Sequence, residues 1–227
     1  MKKLRGIYVT GTDTDVGKTR VVAAIARAWN GGTTIPTVVK FVQTGIPPGK
    51  EGDAQLAARL AGTRWAEPAR FRAPADPWSA ALAESRRPLR ARELANALRT
   101  YPEPLVAEGS GGAAVPLNEC ESLSDVAVQL GLPALIVVGL RLGCINHAVL
   151  TISYLQARNL RVSGLVLVER WEPVTDAYRD DVRRALTRHA AVLGTIPFEP
   201  DPHRTITTAA PLFAPLLEEE RPSITRS

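Results

Sequence analysis

The chain has 227 residues, a length that fits one α/β domain and is short for two. Hydrophobic residues make up 45% of it and charged residues 22%, a balance that supports a sizeable core and argues against a disordered chain. The formal net charge of +5 is a modest excess, and it suits anionic small substrates as well as nucleic acid.

Local patterns disfavour several further classes of protein. The densest basic run, from Arg86 to Arg92, lacks interleaved aromatic residues, so we interpret it as the solvated end of a helix. Cys120 and Cys144 lack the spacing of zinc ligands. The first residues lead directly into a predicted strand without the apolar stretch of a signal peptide, and no apolar run approaches the ~20 residues that cross a bilayer. We therefore predict a soluble cytoplasmic protein without nucleic-acid or membrane partners.

Short β-branched runs alternate with helical patterns along the chain, which predicts βαβ units around a parallel sheet. The predicted strands, in chain order, are Gly6–Thr10, Thr37–Val42, Leu105–Glu108, Ala134–Gly139, Gly164–Val168 and Val192–Ile196. The predicted helices with the clearest periodicity are Lys18–Trp29, Asn146–Arg158 and an amphipathic stripe from Tyr178 to His189. Residues 63–104 are expected to hold two short helices flanked by loops.

The order of these elements predicts one P-loop NTPase-like α/β domain over residues 1–217. Its sheet should be doubly wound and mostly parallel, with helices on both faces. Residues 218–227, with their run of acids and a proline, are predicted to form a disordered tail.

The loop between the first predicted strand and the first helix reads Gly11-Thr12-Asp13-Thr14-Asp15-Val16-Gly17-Lys18-Thr19. Backbone N–H groups of such a loop, with the positive end of the helix, can hold phosphate oxygens. Lys18 can reach the β- and γ-phosphates, and the Thr19 hydroxyl can bind Mg²⁺. The common pattern G-x-x-x-x-G-K-[ST] would put its first glycine at position 12, and this chain has Gly11 one residue earlier.

Other unusual residues follow the predicted strands, at the edge where open parallel sheets bind ligands. Lys40 lies in an apolar run. It either stabilises charge on a transferred phosphoryl group or is a sheet-edge lysine whose stem alone is buried. Asp53 follows a flexible stretch and fits a helix N-cap. Glu108 ends a strand before a glycine-rich turn, where a P-loop protein holds a second metal-directed carboxylate.

Four segments, in order along the chain, resemble the signatures of the dethiobiotin synthetase family. The loop at 11–19 is similar to Gly-Thr-x-Thr-x-Val-Gly-Lys-Thr, and residues 40–45 are similar to Lys-Pro-Val-x-[Ser/Thr]-Gly, with Phe41 replacing the proline. Residues 106–112 resemble Val-Glu-Gly-Ala-Gly-Gly, and residues 142–147 read Leu-Gly-Cys-Ile-Asn-His, as the fourth signature does. The resemblance extends from Gly6 to about Phe198.

The resemblance implies a ligase of biotin biosynthesis that closes the ureido ring of dethiobiotin. One amine of 7,8-diaminopelargonate would combine with CO2 to form a carbamate, whose oxygen attacks the γ-phosphorus of a nucleoside triphosphate. The second amine would then attack the carbonyl and expel phosphate, with ADP as the other product when ATP is used. Mg²⁺ is the implied metal, and ATP or another nucleoside triphosphate the implied co-substrate. The resemblance also implies a homodimer with the substrate site at the subunit interface.

The same resemblance assigns roles to residues of this chain. Lys40 and Lys18 would be catalytic, and Thr19, Asp53 and Glu108 would hold the metal. The residues expected to bind the nucleotide are Asp15, Val16, Gly17, Lys18, Thr19, Arg20, Asp53, Glu108, Gly109, Ser110, Gly111, Glu169, Pro197 and Phe198. The residues expected to bind the diamine or its carboxylate are Thr14, Asp15, Lys40, Thr44, Gly111, Gly143, Cys144, Ile145 and Asn146.

The match departs from the family where the adenine would be recognised. Members often carry an asparagine four residues after the glycine of the fifth strand, and this chain has Val168 there, with Glu169 one position later. Cys144 is interpreted as a small packing residue, and His147 as structural.

The alternative function is a nucleotide-driven switch that binds protein or DNA. ATPases of that kind carry an extra loop lysine where this chain has Asp13, which favours the enzyme.

Overall fold

Seven strands form one sheet in the computed structural model, which describes residues 5–31 and 34–219. In chain order they are β1 (Gly6–Gly11), β2 (Thr37–Lys40), β3 (Arg64–Ala66), β4 (Leu105–Gly112), β5 (Ala134–Gly139), β6 (Val162–Val168) and β7 (Val192–Ile196). Their order across the sheet is β3-β2-β4-β1-β5-β6-β7, and every neighbouring pair is parallel. All carboxyl ends therefore lie along one edge.

Helices cover both faces of this sheet, as a doubly wound fold requires. They are α1 (Lys18–Asn30), α2 (Asp53–Ala61), α3 (Pro77–Ala83), α4 (Ala91–Leu98), α5 (Leu123–Leu130), α6 (Cys144–Gln156), α7 (Asp176–Leu186), α8 (Pro202–Ala209) and α9 (Ala214–Glu219). One apolar core lies under α1, α2, α8 and α9, and the other under α3 to α7. None of the helices in the described ranges has the length and apolarity of a membrane span.

Several helix starts are capped by a side chain. Asp76 accepts a hydrogen bond from the Ser79 N–H at the start of α3, and Thr175 caps α7 in the same way. Ser122 and Asp125 form a capping box at α5. By contrast, α1 and α6 each follow a glycine in the left-handed conformation and have no side-chain cap. Their first N–H groups therefore remain available for an anion.

The predicted fold class is confirmed, and the differences lie in particular elements. The strand β3 escaped the sequence analysis because it has three residues, two of them exposed, and pairs on one side only at the sheet edge. β2 ends at Lys40 instead of Val42, and β4 continues to Gly112. The two short helices expected within residues 63–104 are α3 and α4. α9 covers the first two residues of the predicted tail, and residues 220–227 lie outside the described residues.

Strand register brings the site together. Glu108 of β4 is paired with Val9 of β1 on one side and with Lys40 of β2 on the other. β1 lies between β4 and β5, so its phosphate-loop candidate begins at the centre of the sheet. The acid and the lysine thus lie on neighbouring strands, next to the loop that leaves β1.

Candidate active site

A cavity of about 810 Å³ opens at the carboxyl ends of β1, β2 and β4. Most of the residues predicted around a nucleotide and a substrate line it. Those residues are Thr14, Asp15, Gly17, Lys18, Thr19, Arg20, Lys40, Thr44, Asp53, Glu108, Ser110 and Gly111. Residues that are far apart in the sequence therefore share one concave surface, the usual setting of a small-molecule site.

The loop from Gly11 to Thr19 folds back over the end of β1. A β-carbon at Gly11 would lie 2.7 Å from Val16 Cγ2, so this early glycine is needed for the loop to close. Gly17 has a φ of 97° and precedes the first residue of α1. Lys18 is buried, and its Nζ donates to the Asp13 carbonyl at 2.9 Å. Burial lowers the pKa of Lys18 to about 8, although Glu108 opposes the shift.

Lys40 joins two carboxylates at the floor of the cavity. Its Nζ lies 2.7 Å from Glu108 Oε1 and 2.7 Å from Asp53 Oδ2, and it also donates to the Gly109 carbonyl at 3.3 Å. Only 3% of Lys40 is exposed, and β2 is an internal strand. The interpretation of Lys40 as a sheet-edge lysine with its charge in water is therefore wrong.

The charges in this cluster depend on one another. Burial by itself would lower the pKa of Lys40, but Glu108 and Asp53 outweigh it, and the net shift is upward. Burial raises the pKa of Glu108, and the Lys40 ammonium opposes that change. The lysine is therefore held in its charged form, as a cation that stabilises a transferred phosphoryl group must be.

Asp53 was predicted to cap a helix or to approach a metal. The prediction of a helix N-cap is wrong, because α2 begins at Asp53 itself. The N-cap of α2 is Gly52, which makes no side-chain hydrogen bond. The Asp53 carboxylate turns to Lys40, and its backbone N–H donates to Gln43 Oε1 at 2.8 Å. Gln43, which sequence reasoning missed, is buried in the cavity wall. Its signal in the sequence was a polar residue directly after the apolar pair Phe41 and Val42.

Replacing Gln43 with alanine should lower the free energy of unfolding by about 1 kcal/mol, because the Asp53 N–H loses its acceptor. Urea denaturation of the variant and of the unmodified chain measures the difference. Gln129→Ala, at an exposed position on α5, is the matched control and should change nothing measurable. Equal stability of all three proteins would show that the hydrogen bond from the Asp53 N–H to Gln43 does not stabilise the fold.

The oxygen atoms of this cluster fit a hard metal ion. Thr19 Oγ1 donates to Glu108 Oε1 at 3.1 Å, and Asp53 joins them through Lys40. Glu108 Oε2 is buried and has no hydrogen-bond partner among the residues that the structure describes, as an atom kept for a ligand would be. Within the described residues no group of three or more His, Cys, Asp and Glu side chains could hold a metal. Two carboxylates and a hydroxyl suit Mg²⁺, which uses one or two carboxylates and completes its shell with phosphates and water.

Comparisons with known proteins agree with this geometry. A family model described as an AAA domain matches residues 5–205. The ATP-dependent dethiobiotin synthetase BioD of Anaeromyxobacter dehalogenans strain 2CP-C is 39% identical over 206 residues, which cover 87% of this chain and 92% of that protein. The chain belongs to the dethiobiotin synthetase family. The protein of the same name from Streptomyces coelicolor is 43% identical over 166 residues, which cover 71% of this chain and 70% of that protein.

Solved structures support the fold alone. The MinC:MinD cell division protein complex of Aquifex aeolicus aligns with a TM-score of 0.58 at 16% identity, covering 98% of this chain and 99% of that one. A ParA family ATPase from Chlorobium tepidum TLS aligns with a TM-score of 0.54 at 9% identity, covering 96% and 95%. The dethiobiotin synthetase family assignment therefore depends on the sequence relatives, and the structural neighbours confirm the α/β architecture.

Some residues that the family resemblance added lie away from the cavity wall. Glu169 is buried. Its Oε1 accepts from Arg179 and its Oε2 from the Phe198 N–H at 3.1 Å, so its carboxylate is committed to the protein. Pro197 and Phe198 follow β7 outside the cavity lining, and Val16 is packed in the core beneath the loop.

The segment from Gly143 to Asn146 opens α6, apart from the cavity of the same chain. Leu142, Ile145 and Asn146 are exposed beside it, whereas Cys144 is buried with its Sγ 3.6 Å from Tyr178 Oη. The interpretation of Cys144 as a packing residue is confirmed. A carboxylate site at this helix start remains a prediction that needs a second copy of the chain.

Two arginines missed by sequence reasoning bind the acids of the loop. Arg170 Nη2 donates to Asp15 Oδ1 at 2.8 Å and lines the cavity. Arg141 forms an ion pair with Asp13 and lies over the ring of Trp171, 5.0 Å from its centroid. For both, the signal in the sequence was an arginine two residues after the end of a strand. The two pairs tie the phosphate loop to the ends of β5 and β6.

Proposed function

We propose that this chain is a cytoplasmic dethiobiotin synthetase that closes the ureido ring of 7,8-diaminopelargonate with CO2 and a nucleoside triphosphate. One observation carries the proposal. The buried Lys40 is held charged between Glu108 and Asp53, at the floor of a cavity that also holds Lys18 and the uncapped start of α1. Phosphoryl transfer needs alignment and neutralised charge more than a protein nucleophile, and this arrangement supplies both.

In the proposed reaction a carbamate oxygen of the substrate attacks the γ-phosphorus, the bond to the β-phosphate breaks, and the nucleoside diphosphate leaves behind a carbamic–phosphoric anhydride. Lys18 and the loop N–H groups hold the phosphates, and Lys40 stabilises the negative charge of the carbamate and of the transferred phosphoryl group. The second amine then closes the ring at the carbonyl, and phosphate leaves. Thr19, Asp53 and Glu108 would hold Mg²⁺, which when bound neutralises charge on the β- and γ-phosphates.

The diamine is proposed to lie along the wall formed by Thr14, Thr44 and Gly111. Gly111 has a φ of 61°, and a β-carbon there would lie 2.8 Å from Val115 Cγ2 and 3.5 Å from Thr14 Oγ1. Glycine at this position therefore keeps space beside the threonine for the reacting end of the substrate. In a homodimer the start of α6 of the second copy, Gly143 to Asn146, would bind the distant carboxylate. Holding both ends would favour ring closure by proximity.

A coupled phosphate assay tests this function. The chain is mixed with Mg²⁺, bicarbonate and each of ATP, CTP, GTP and UTP, with and without the diamine. We expect phosphate release that depends on the diamine, together with dethiobiotin identified by mass spectrometry. A rate of phosphate release that does not depend on the diamine but increases with DNA would instead support a nucleotide switch. Asp13, paired with Arg141 at the place of the extra lysine of such switches, argues against that alternative.

Nucleotide affinity should fall as the pH rises above about 8. In the free protein the pKa of Lys18 is about 8, and bound phosphates would raise it, so binding takes up a proton once the pH exceeds that value. Affinity is therefore full below pH 8 and weakens by up to about tenfold per pH unit above it. The phosphates themselves titrate near pH 6, outside this window.

Calorimetric titration with ATP between about pH 7 and pH 10 measures this effect. Lys50→Ala, at an exposed lysine outside the cavity, should reproduce the profile of the unmodified chain. A dissociation constant that stays flat across the range would contradict the role of Lys18.

A further inference from the structure

The end of β6 lies directly against the phosphate loop. From the position of a β-carbon built on Gly17, Val168 Cγ1 is 3.2 Å away and Arg170 Cδ is 3.6 Å away. In the sheet, β4 and β2 lie on one side of β1, with the Glu108–Lys40 pair, and β5 and β6 lie on the other. If the terminal phosphorus of a triphosphate lies at Lys40, as in the proposed function, its nucleoside would lie toward β6 and Arg170.

Most polar groups on this side already have partners in the protein. Glu169 is bound to Arg179 and to the Phe198 N–H, and Arg20 donates to the carbonyls of Glu199 and Pro200. The side chain of Val168 has no polar atom to offer a base.

Arg170 differs from its neighbours. It lines the cavity, and its side chain is 32% exposed. Its ion-pair partner, Asp15, is 63% exposed, so the pair lies at the mouth of the cavity and not in the core. A guanidinium group is planar, has five N–H donors, and stacks on flat rings. Among the described residues Arg170 pairs only with the Asp15 carboxylate, which leaves its other donors and its ring-stacking faces for a ligand.

We propose that Arg170 binds the nucleoside half of the triphosphate, with its guanidinium plane stacked on the base and Asp15 holding it in place. The proposal rests on the nucleotide binding of the proposed function and adds the residue that recognises the nucleoside. Stacking accepts every base, since each has a π-face, whereas hydrogen bonds to base edges discriminate. The four nucleoside triphosphates should therefore differ little in affinity.

The test compares two ligands that differ only in the nucleoside. Inorganic tripolyphosphate carries the phosphate chain without base or ribose, and ATP carries both. Dissociation constants for each are measured with Mg²⁺ and without diamine, for the unmodified chain and for Arg170→Ala. We expect Arg170→Ala to weaken ATP binding about tenfold, as loss of one stacking contact does, and to leave tripolyphosphate binding within about twofold.

Two further variants are needed. One tests whether ATP binding requires the planar guanidinium of Arg170 or only its positive charge, and the other tests whether loss of any exposed arginine has the same effect. Arg170→Lys keeps a positive charge beside Asp15 but has no planar face, so it should lose most of the same ATP affinity. Arg184→Ala removes an exposed arginine that pairs with Asp181 on α7, and it should bind both ligands normally. Thermal melting of each variant shows whether it is folded under the assay conditions.

The outcomes are distinct. Equal weakening of ATP and tripolyphosphate would mean that Arg170 contacts phosphate, and it would overturn the proposal. Unchanged ATP binding by Arg170→Ala would overturn it as well, while the proposed function stands. An unmodified chain that binds neither ligand would overturn the proposed function and this inference together.

Discussion

Replacing Lys40 with alanine should lower kcat/KM for dethiobiotin formation by about 10³-fold, the scale on which a buried cation at a transferred phosphoryl group acts. The ammonium is 2.7 Å from two carboxylate oxygens and almost fully buried, so water cannot supply an equivalent charge. In the proposed mechanism, removing it would leave the developing charge on carbamate and phosphate without the lysine assigned to stabilise it.

Turnover and stability need separate measurement for this variant. Lys40→Ala leaves Glu108 and Asp53 facing each other without a cation, which should lower the unfolding free energy by about 3 kcal/mol. Kinetics are therefore measured where circular dichroism shows a folded protein. Lys50→Ala serves as the matched control and should keep full activity. Near-normal turnover of folded Lys40→Ala would remove the role assigned to Lys40.

Replacing Glu108 with glutamine should lower turnover by about 100-fold and raise the Mg²⁺ concentration needed for half-maximal rate. Glu108 Oε1 holds both Lys40 and Thr19, and its buried Oε2 has no partner in the described structure. Glutamine keeps the size of the side chain but removes the negative charge that positions the lysine and would attract the metal. Initial rates over a Mg²⁺ titration measure both effects.

The double variant Lys40→Ala/Glu108→Gln separates the effect of the Lys40–Glu108 ion pair on stability from the effect of the two side chains on turnover. It should be as inactive as Lys40→Ala, yet more stable, because the uncompensated buried acid is gone. Glu93→Gln, at an exposed ion pair on α4, is the control for loss of a carboxylate. A double variant no more stable than Lys40→Ala would show that the two side chains are not coupled in solution.

Much of this site could be read from residue order. The strand–loop–helix arrangement around Gly17 and Lys18, and the acid before a glycine-rich turn at Glu108, are local patterns. Their geometry depends on neighbours a few residues away, so a single sequence can reveal them. The parallel sheet was predictable for the same reason, since alternating apolar runs and amphipathic helices permit few other folds.

Contacts between distant segments were decided only by the folded chain. The sequence offered Asp53 as a helix cap or as a metal ligand. The structure turns its carboxylate to Lys40, with Gln43 holding its backbone, because strand order brings the end of β2 and the start of α2 together. Arg170 reaches Asp15 across 155 positions of the chain. Side-chain burial and ion pairing depend on which strands become neighbours, and local periodicity does not carry that information.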